Sequence, residues 1–157
     1  MQRIINLFVL HCHTGLRHTD WTKVSLNSIE SVKLYVRTQK TKKAVVIPVH
    51  PIIPEILNRY GPDLKIPTNQ EANRVLKWIG EYALLKKITK ENPEKWHQIR
   101  THTVRRSFAT NAYLSGIPMI SIMQITGHRK TETFHRYIRV TKLENAEKLK
   151  DHPFFNS

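Results

Sequence analysis

Acidic side chains are scarce in this chain. Twelve Asp and Glu stand against 26 Lys and Arg in 157 residues, giving a formal charge of +14 and a pI near 10.2. A field of that sign favours polyanions, of which nucleic acid is the commonest. Cysteine is nearly absent: Cys12 stands alone, which excludes an internal disulfide and fits a reducing, cytoplasmic setting. Long apolar runs are missing too. The stretch Ile4 to Leu10 contains Asn6 and is too short to span a bilayer. It lacks the small-residue cleavage site of a signal peptide as well. Internal repeats and low-complexity segments are also lacking. With 39% hydrophobic and 24% charged residues the composition is that of a soluble domain. At this length a single domain can remove roughly two-thirds of its unfolded surface from water.

Periodicity supplies the elements. Ile4, Ile5, Leu7, Phe8 and Leu10 have helical spacing over residues 2–13, and Gly15 breaks the helix. Thr19-Asp20 caps a short second helix through about Leu26. The period then changes to two at Val32, Leu34 and Val36, and after the polar turn Thr38 to Lys42 the run Ala44 to Val49 is rich in β-branched residues. That is a hairpin with a lysine-loaded turn. Pro51 opens a helix through Arg59, closed by Gly61-Pro62. Thr68 and Glu71 form a capping box for a helix that aligns Ala72, Val75, Leu76, Ile79 and Leu84. Residues 87–95 are a polar connection. A helix from about Thr101 to Ser115 buries Val104, Phe108 and Ala112 and ends at Gly116; Pro118 opens another through Ile125. Thr131 to Tyr137 is helical, and Lys142 to Lys150 is amphipathic with Leu143, Ala146 and Leu149 as its stripe, ahead of Phe154-Phe155. The expected fold class is α+β, mostly α-helical, with a small antiparallel sheet.

The chemistry concentrates in a few residues. His102 and Arg105, three apart on a helix, share a face. A second copy of the spacing, His97 to Arg100, lies five residues earlier. That is roughly 140° around a helix at ~100° per residue, so only one copy can face a given pocket. The copy that leads into Ser107-Phe108-Ala109-Thr110 is chosen. Gly127-His128 follows a helix, where a glycine turn can aim the imidazole, and Tyr137 stands nine residues after His128. Arg17 sits in Thr14-Gly15-Leu16-Arg17. Arginine grips two phosphate oxygens through its planar fork, which lysine cannot do. A tyrosine in water titrates near about 10 and is a poor nucleophile at neutral pH. Clustered cations favour its phenolate. Two arginines, two histidines and a tyrosine therefore suffice to open a phosphodiester bond without metal.

These blocks, Thr14-Gly15-Leu16-Arg17 with Asp20, His102-Thr-Val-Arg105-Arg-Ser-Phe-Ala-Thr110, Gly127-His128 and Tyr137, resemble the tyrosine recombinases, or phage-type integrases. All four occur in the family's order, across nearly the whole chain. Thr126 replaces the usual leucine before Gly-His and Arg106 stands where histidine is frequent; neither touches a catalytic position. His18, after the first arginine, is unusual and could change local packing. The resemblance implies a catalytic domain over residues 1–157, without the family's N-terminal DNA-clasping domain and with residues 142–157 reaching a neighbouring protomer. It implies site-specific DNA recombination of a mobile element, integration or excision, through a 3′-phosphotyrosyl intermediate. The partners are double-stranded DNA and other copies of the chain in a tetramer, and no cofactor or metal is implied.

By the same resemblance Tyr137 is the nucleophile, Arg17 and Arg105 hold the non-bridging oxygens, and His128 hydrogen-bonds the phosphate. His102 serves as base or positioner, and Asp20 orients Arg17. The lysine that protonates the leaving oxygen comes from the hairpin turn: Lys40, with Lys42 and Lys43 as rivals. Three other readings stand beside this one. A type IB topoisomerase-like enzyme would relax DNA with a similar set. A DNA-binding module would use the charge alone. A zinc site from His11-Cys12-His13 with His18 is disfavoured, because adjacent ligands diverge on a helix and no CxxC accompanies them.

Overall fold

Helix α1 (Gln2–Cys12) packs against three of the later helices. The computed structural model describes residues 1–61, 64–82, 99–138 and 140–155. The expected connection 87–95, together with Leu84, His97, Gln98 and Pro62, lies outside the described residues. Leu7 and Leu10 of α1 are fully buried, as its spacing predicts.

After α1 the chain does not form the single helix expected through Leu26. It makes two 3₁₀ turns, His18–Lys23 and Leu26–Ser28, separated by extended Val24 and Ser25. Trp21 and Val24 are both buried, three residues apart, a spacing that a three-residue turn satisfies better than an α-helix. Ser25 then caps the second turn, its own N–H donating to Ser28 Oγ at 2.8 Å.

The sheet has three antiparallel strands in the order β1 (Ile29–Glu30), β2 (Lys33–Arg37), β3 (Ala44–Pro48). The hairpin was expected and the short β1 was not, since two residues carry no readable period. Leu34 pairs with Ile47 and Val36 with Val45, all four on the buried face. Val32 precedes β2 and is exposed rather than part of that face. Thr38 closes the turn: its N–H donates to Lys43 O at 3.0 Å, and its hydroxyl lies 2.6 Å from that of Thr41.

Helix α2 (Ile52–Tyr60) follows Pro51 and buries Ile53, Ile56 and Leu57. Helix α3 (Asn69–Tyr82) starts at Thr68, whose Oγ1 accepts from Glu71 N–H at 3.2 Å. Helix α4 (Thr101–Leu114) joins the two parts of the core. Val104 belongs to the cluster built on α1, the sheet and α2; Ala109 and Ala112 belong to a second cluster with Ile122 of α5 (Met119–Thr126) and Phe134 of α6 (Thr131–His135). Of the stripe expected on α4, Phe108 is only half-buried; Arg105 and Ala109 are buried instead. Helix α7 (Lys142–Leu149) buries none of its residues, leaving Leu143 exposed, and the final turn Pro153–Phe155 exposes Phe154 and Phe155. Polar contacts hold α7 in place: Tyr113 Oη donates to Asn145 Oδ1 at 3.3 Å, and Lys148 Nζ stands 3.8 Å from the centre of the Tyr113 ring. Among the described residues no helix is long and apolar enough to cross a membrane.

Candidate active site

The turn after α1 is built by Thr14 and Gly15. Thr14 is fully buried, with its Oγ1 2.9 Å from His11 Nδ1 and accepting from Leu16 N–H at 3.4 Å. Gly15 has φ +63°, and a Cβ at this position would clash with the edge of the Phe108 ring. Backbone and packing both demand glycine here. The turn aims the Gly15 carbonyl at α4, where Arg105 Nη1 donates to it at 2.8 Å, and brings Arg17 to the surface of the site.

Arg105 lies on α4 between the two core clusters, with only 2% of its surface exposed. Its Nε and Nη2 have no hydrogen-bond partner among the described residues. Burial, and then the charge of Arg17, lower its pKa to about 10, so it remains a cation at neutral pH. Tyr137, and after it Asp20, offset this in part. The earlier arginine of the repeated spacing, Arg100, is the exposed N-cap residue of α4.

Tyr137 is delivered by an early stop. Helix α6 was expected to continue to Tyr137 but ends at His135, because buried Phe134 anchors it and the next residues close as a turn, Tyr137 N–H donating to Phe134 O at 2.8 Å. Two side chains of α4 hold this segment: Thr110 Oγ1 donates to Tyr137 O at 3.3 Å and Arg106 Nη2 to Arg136 O at 3.2 Å. The phenol oxygen thereby comes within 2.7 Å of His102 Nε2. Burial, followed by Arg105, Arg106 and Arg17, holds the His102 pKa below its ordinary value. A neutral imidazole can accept the phenol proton in this bond.

His128 enters from the end of α5. Gly127 adopts the left-handed conformation at φ +63°, and His128 Nδ1 sits 2.7 Å from Thr126 Oγ1. The expectation that Thr126 stands apart from the catalytic positions is corrected here: its hydroxyl touches the histidine. Burial, then Arg105, Arg17 and His102, push the His128 pKa down to about 4. The Tyr137 ring lies 4.3 Å away, centre to centre.

Lys40 comes from the hairpin turn. A cavity of about 500 Å³ is lined by Arg17, Gln39, Lys40, Asn69, His102 and Arg105, among others. Beside it, a second of about 440 Å³ is lined by Arg17, Lys40, His128, Arg129 and Lys130, among others. Arg17 and Lys40 face both, so all six sequence-chosen residues, Arg17, Lys40, His102, Arg105, His128 and Tyr137, meet in one region. Lys43 lines a different groove with Val45 and Met123, and Lys42 lines neither of the two cavities.

Asp20 does not hold Arg17 as expected. Among the described residues its carboxylate makes no hydrogen bond to Arg17; Oδ1 accepts from the Gln39 N–H instead, because the hairpin turn lies over it. Sequence reasoning also missed the α3–α4 link: Thr101 N–H donates to Asn73 Oδ1 at 2.7 Å and Thr101 Oγ1 to Asn69 Oδ1 at 2.6 Å. Asparagines on an amphipathic helix give no signal of that role. A hydroxyl two residues before a candidate histidine is a signal for Thr126. The residues of the rival zinc reading part company: His11 stacks on Trp21 at 4.3 Å, His13 on His50 at 3.9 Å, and His18 Nε2 meets Pro67 O at 3.0 Å.

Arranged in this way, the region can bind an anion between two guanidinium groups, with an aromatic hydroxyl and its proton acceptor alongside. The comparisons with known proteins agree with that class of site. The profile described as "Phage integrase family" matches residues 2–144, and the chain belongs to this family of tyrosine recombinases. It is similar to Tyrosine recombinase XerD of Listeria innocua, at 30% identity over 154 residues, covering 89% of this chain and 51% of that protein. Tyrosine recombinase XerD of Halalkalibacterium halodurans is 27% identical over 141 residues, covering 82% of this chain and 46% of that protein. The chain thus spans about half the length of the curated relatives it matches. Among solved structures, XerA recombinase superposes with a TM-score of 0.61 at 16% identity, covering 97% of this chain and 63% of that one. The Tn1549 transposon integrase, solved in complex with circular intermediate DNA, gives 0.61 at 13% identity, covering 96% and 58%. At those identities the likeness shows the fold, which is the expected α+β class.

Proposed function

We propose that this chain is the strand-cleaving and strand-joining unit of a site-specific DNA recombinase acting on a mobile element. The observation that carries the reading is the 2.7 Å contact of Tyr137 Oη with His102 Nε2, beside a buried Arg105 whose Nε and Nη2 have no hydrogen-bond partner among the described residues. Tyr137 attacks the DNA phosphorus as His102 takes up or positions its proton. Arg17 and Arg105 hold the non-bridging oxygens, and His128 hydrogen-bonds the phosphate. The P–O bond to the 5′-oxygen breaks, Lys40 supplies that oxygen with a proton, and a 3′-phosphotyrosyl link remains. Attack by a 5′-hydroxyl of the partner strand reverses the step and releases Tyr137. One phosphodiester replaces another, so no nucleotide is consumed. Positioning and charge supply the catalysis.

The relatives' names and the +14 charge support DNA as the substrate, with cations outside the site contacting phosphates without reading sequence. Exposed Leu143, Phe154 and Phe155 support a role for residues 142–157 in joining protomers of a tetramer on DNA. The test is to incubate the protein with supercoiled plasmid in EDTA, quench with SDS and seek DNA-linked protein by mass spectrometry. An adduct on Tyr137 that Tyr137→Phe abolishes is the expected result. An adduct on another residue, or one that Tyr137→Phe leaves intact, overturns the assignment.

A further inference from the structure

Thr126 is 1% exposed at the last turn of α5, and its single hydroxyl hydrogen faces two competing demands. Oγ1 lies 2.7 Å from the Ile122 carbonyl, four residues back, and 2.7 Å from His128 Nδ1. A carbonyl oxygen can only accept, so the hydroxyl hydrogen goes to Ile122 O, the back-bond that threonine commonly makes in a helix. Were it given to Nδ1 instead, two oxygen lone pairs would face each other at hydrogen-bond distance inside the protein. With that hydrogen committed, Oγ1 can only accept from the ring. Nδ1 therefore carries a hydrogen, and the titrating nitrogen of the neutral imidazole is Nε2. Nε2 makes no hydrogen bond among the described residues, and His128 lines the cavity shared with Arg17 and Lys40.

We propose that Thr126 is the positioning residue of His128, fixing the Nδ1–H tautomer and presenting Nε2 to the phosphate held by Arg17 and Arg105. The proposal rests on the functional reading above. Leucine, usual at this position, supplies no such acceptor. The groups facing the imidazole are Arg105 and His102 of α4, Arg17 of the turn after α1, Lys40 of the hairpin, Arg129 and Lys130 beyond the histidine, and Tyr137. No carboxylate lines this cavity among the described residues. Nε2 is thus a poor proton holder until an anion enters. A phosphodiester supplies the opposite charge that favours the imidazolium, whose Nε2–H then donates to a phosphate oxygen.

Nitrogen-resolved NMR of the full chain, with and without a DNA duplex, tests the assignment. Free protein is expected to show His128 with Nδ1 protonated and Nε2 bare at pH 7, and duplex is expected to raise the His128 pKa. Thr126→Val, close in shape but without the hydroxyl, should release the tautomer. It should also lower the rate of Tyr137 adduct formation by roughly tenfold to a hundredfold, the scale seen when a group orienting a metal-bound histidine is lost. It should move the pH profile as well, whereas Thr126→Ser keeps tautomer, rate and profile. An Nε2–H tautomer in the unsubstituted protein overturns the proposal whatever the valine variant does. So does a Thr126→Val protein that keeps both tautomer and pH profile. If the unsubstituted protein forms no adduct on plasmid or duplex, the proposed function fails, and the NMR result still decides the role of Thr126 separately.

Discussion

The carboxylate of Asp20 accepts a 2.6 Å hydrogen bond from the backbone N–H of Gln39, across nineteen residues of chain. Asp20 is fully buried, and the residue after Gln39 is Lys40. The contact therefore ties the hairpin turn to the segment that follows Arg17, setting the distance between two cations contributed by different elements.

Asp20→Ala should leave the Gln39 N–H without this acceptor at a cost of about 1–3 kcal/mol, and should slow Tyr137 adduct formation. Asp20→Asn keeps an acceptor oxygen and removes the charge, so it should stay closer to the parent protein in urea unfolding. Equal losses in both variants would assign the effect to charge rather than to the tie.

Arg105→Lys should lower adduct formation by roughly 10²–10³, the scale for removing one donor at a developing oxyanion. Lysine retains the charge but not the fork that reaches the Gly15 carbonyl while leaving two nitrogens without a partner among the described residues. Single-turnover kinetics on a cleavable duplex check this. A lysine variant with unchanged rate would show that point charge alone suffices at Arg105.

Gly15→Ala combines a positive φ with a Cβ that clashes with the Phe108 ring. The conformational part costs roughly 1–2 kcal/mol and the overpacking about 1–3 kcal/mol more. Phe108→Leu in the same chain should recover part of the packing loss and none of the backbone strain. Thermal unfolding of the two variants separates the terms.

Acid should destabilise the protein before its carboxylates titrate. The pKa values of His11, His13, His102 and His128 are all held below the ordinary 6.5, burial being the first cause in each. Below 6.5 the unfolded chain binds more protons than the folded one, so stability is full above that pH and falls as pH drops toward the folded values. His11 is completely buried against Trp21, and His11→Phe, which keeps a ring there, should flatten the slope by up to about 1.4 kcal/mol per pH unit. Unfolding midpoints between pH 7 and 5 give the comparison.

Much of the fold is legible because local rules and burial coincide. Helix α1, the β2–β3 hairpin, α4 and α5 follow periods of 3.6 or 2, with Gly15, Gly116 and Gly127 marking stops. The region between Arg17 and Ile29 misled, because Trp21 and Val24 bury at a three-residue spacing that an α-helical reading absorbs. The extent of α6 was overstated because its end depends on Phe134 seating in a cluster assembled from α4 and α5.

The chain by itself determined which side chains are the candidates for the proposed chemistry, since their types, order and spacing lie along it: Arg17, His102, Arg105, His128 and Tyr137. It determined the class of fold as well, through hydrophobic period and turn residues. The tertiary structure alone decided the partners. Asp20 serves Gln39 rather than Arg17, Lys40 rather than Lys43 shares cavities with Arg17, and Thr126 touches the histidine it had been read as leaving alone. The physical reason is that hydrogen bonds depend on separations of a few ångströms across elements far apart in sequence. Those separations are set by how α4 seats between two core clusters, not by any local pattern.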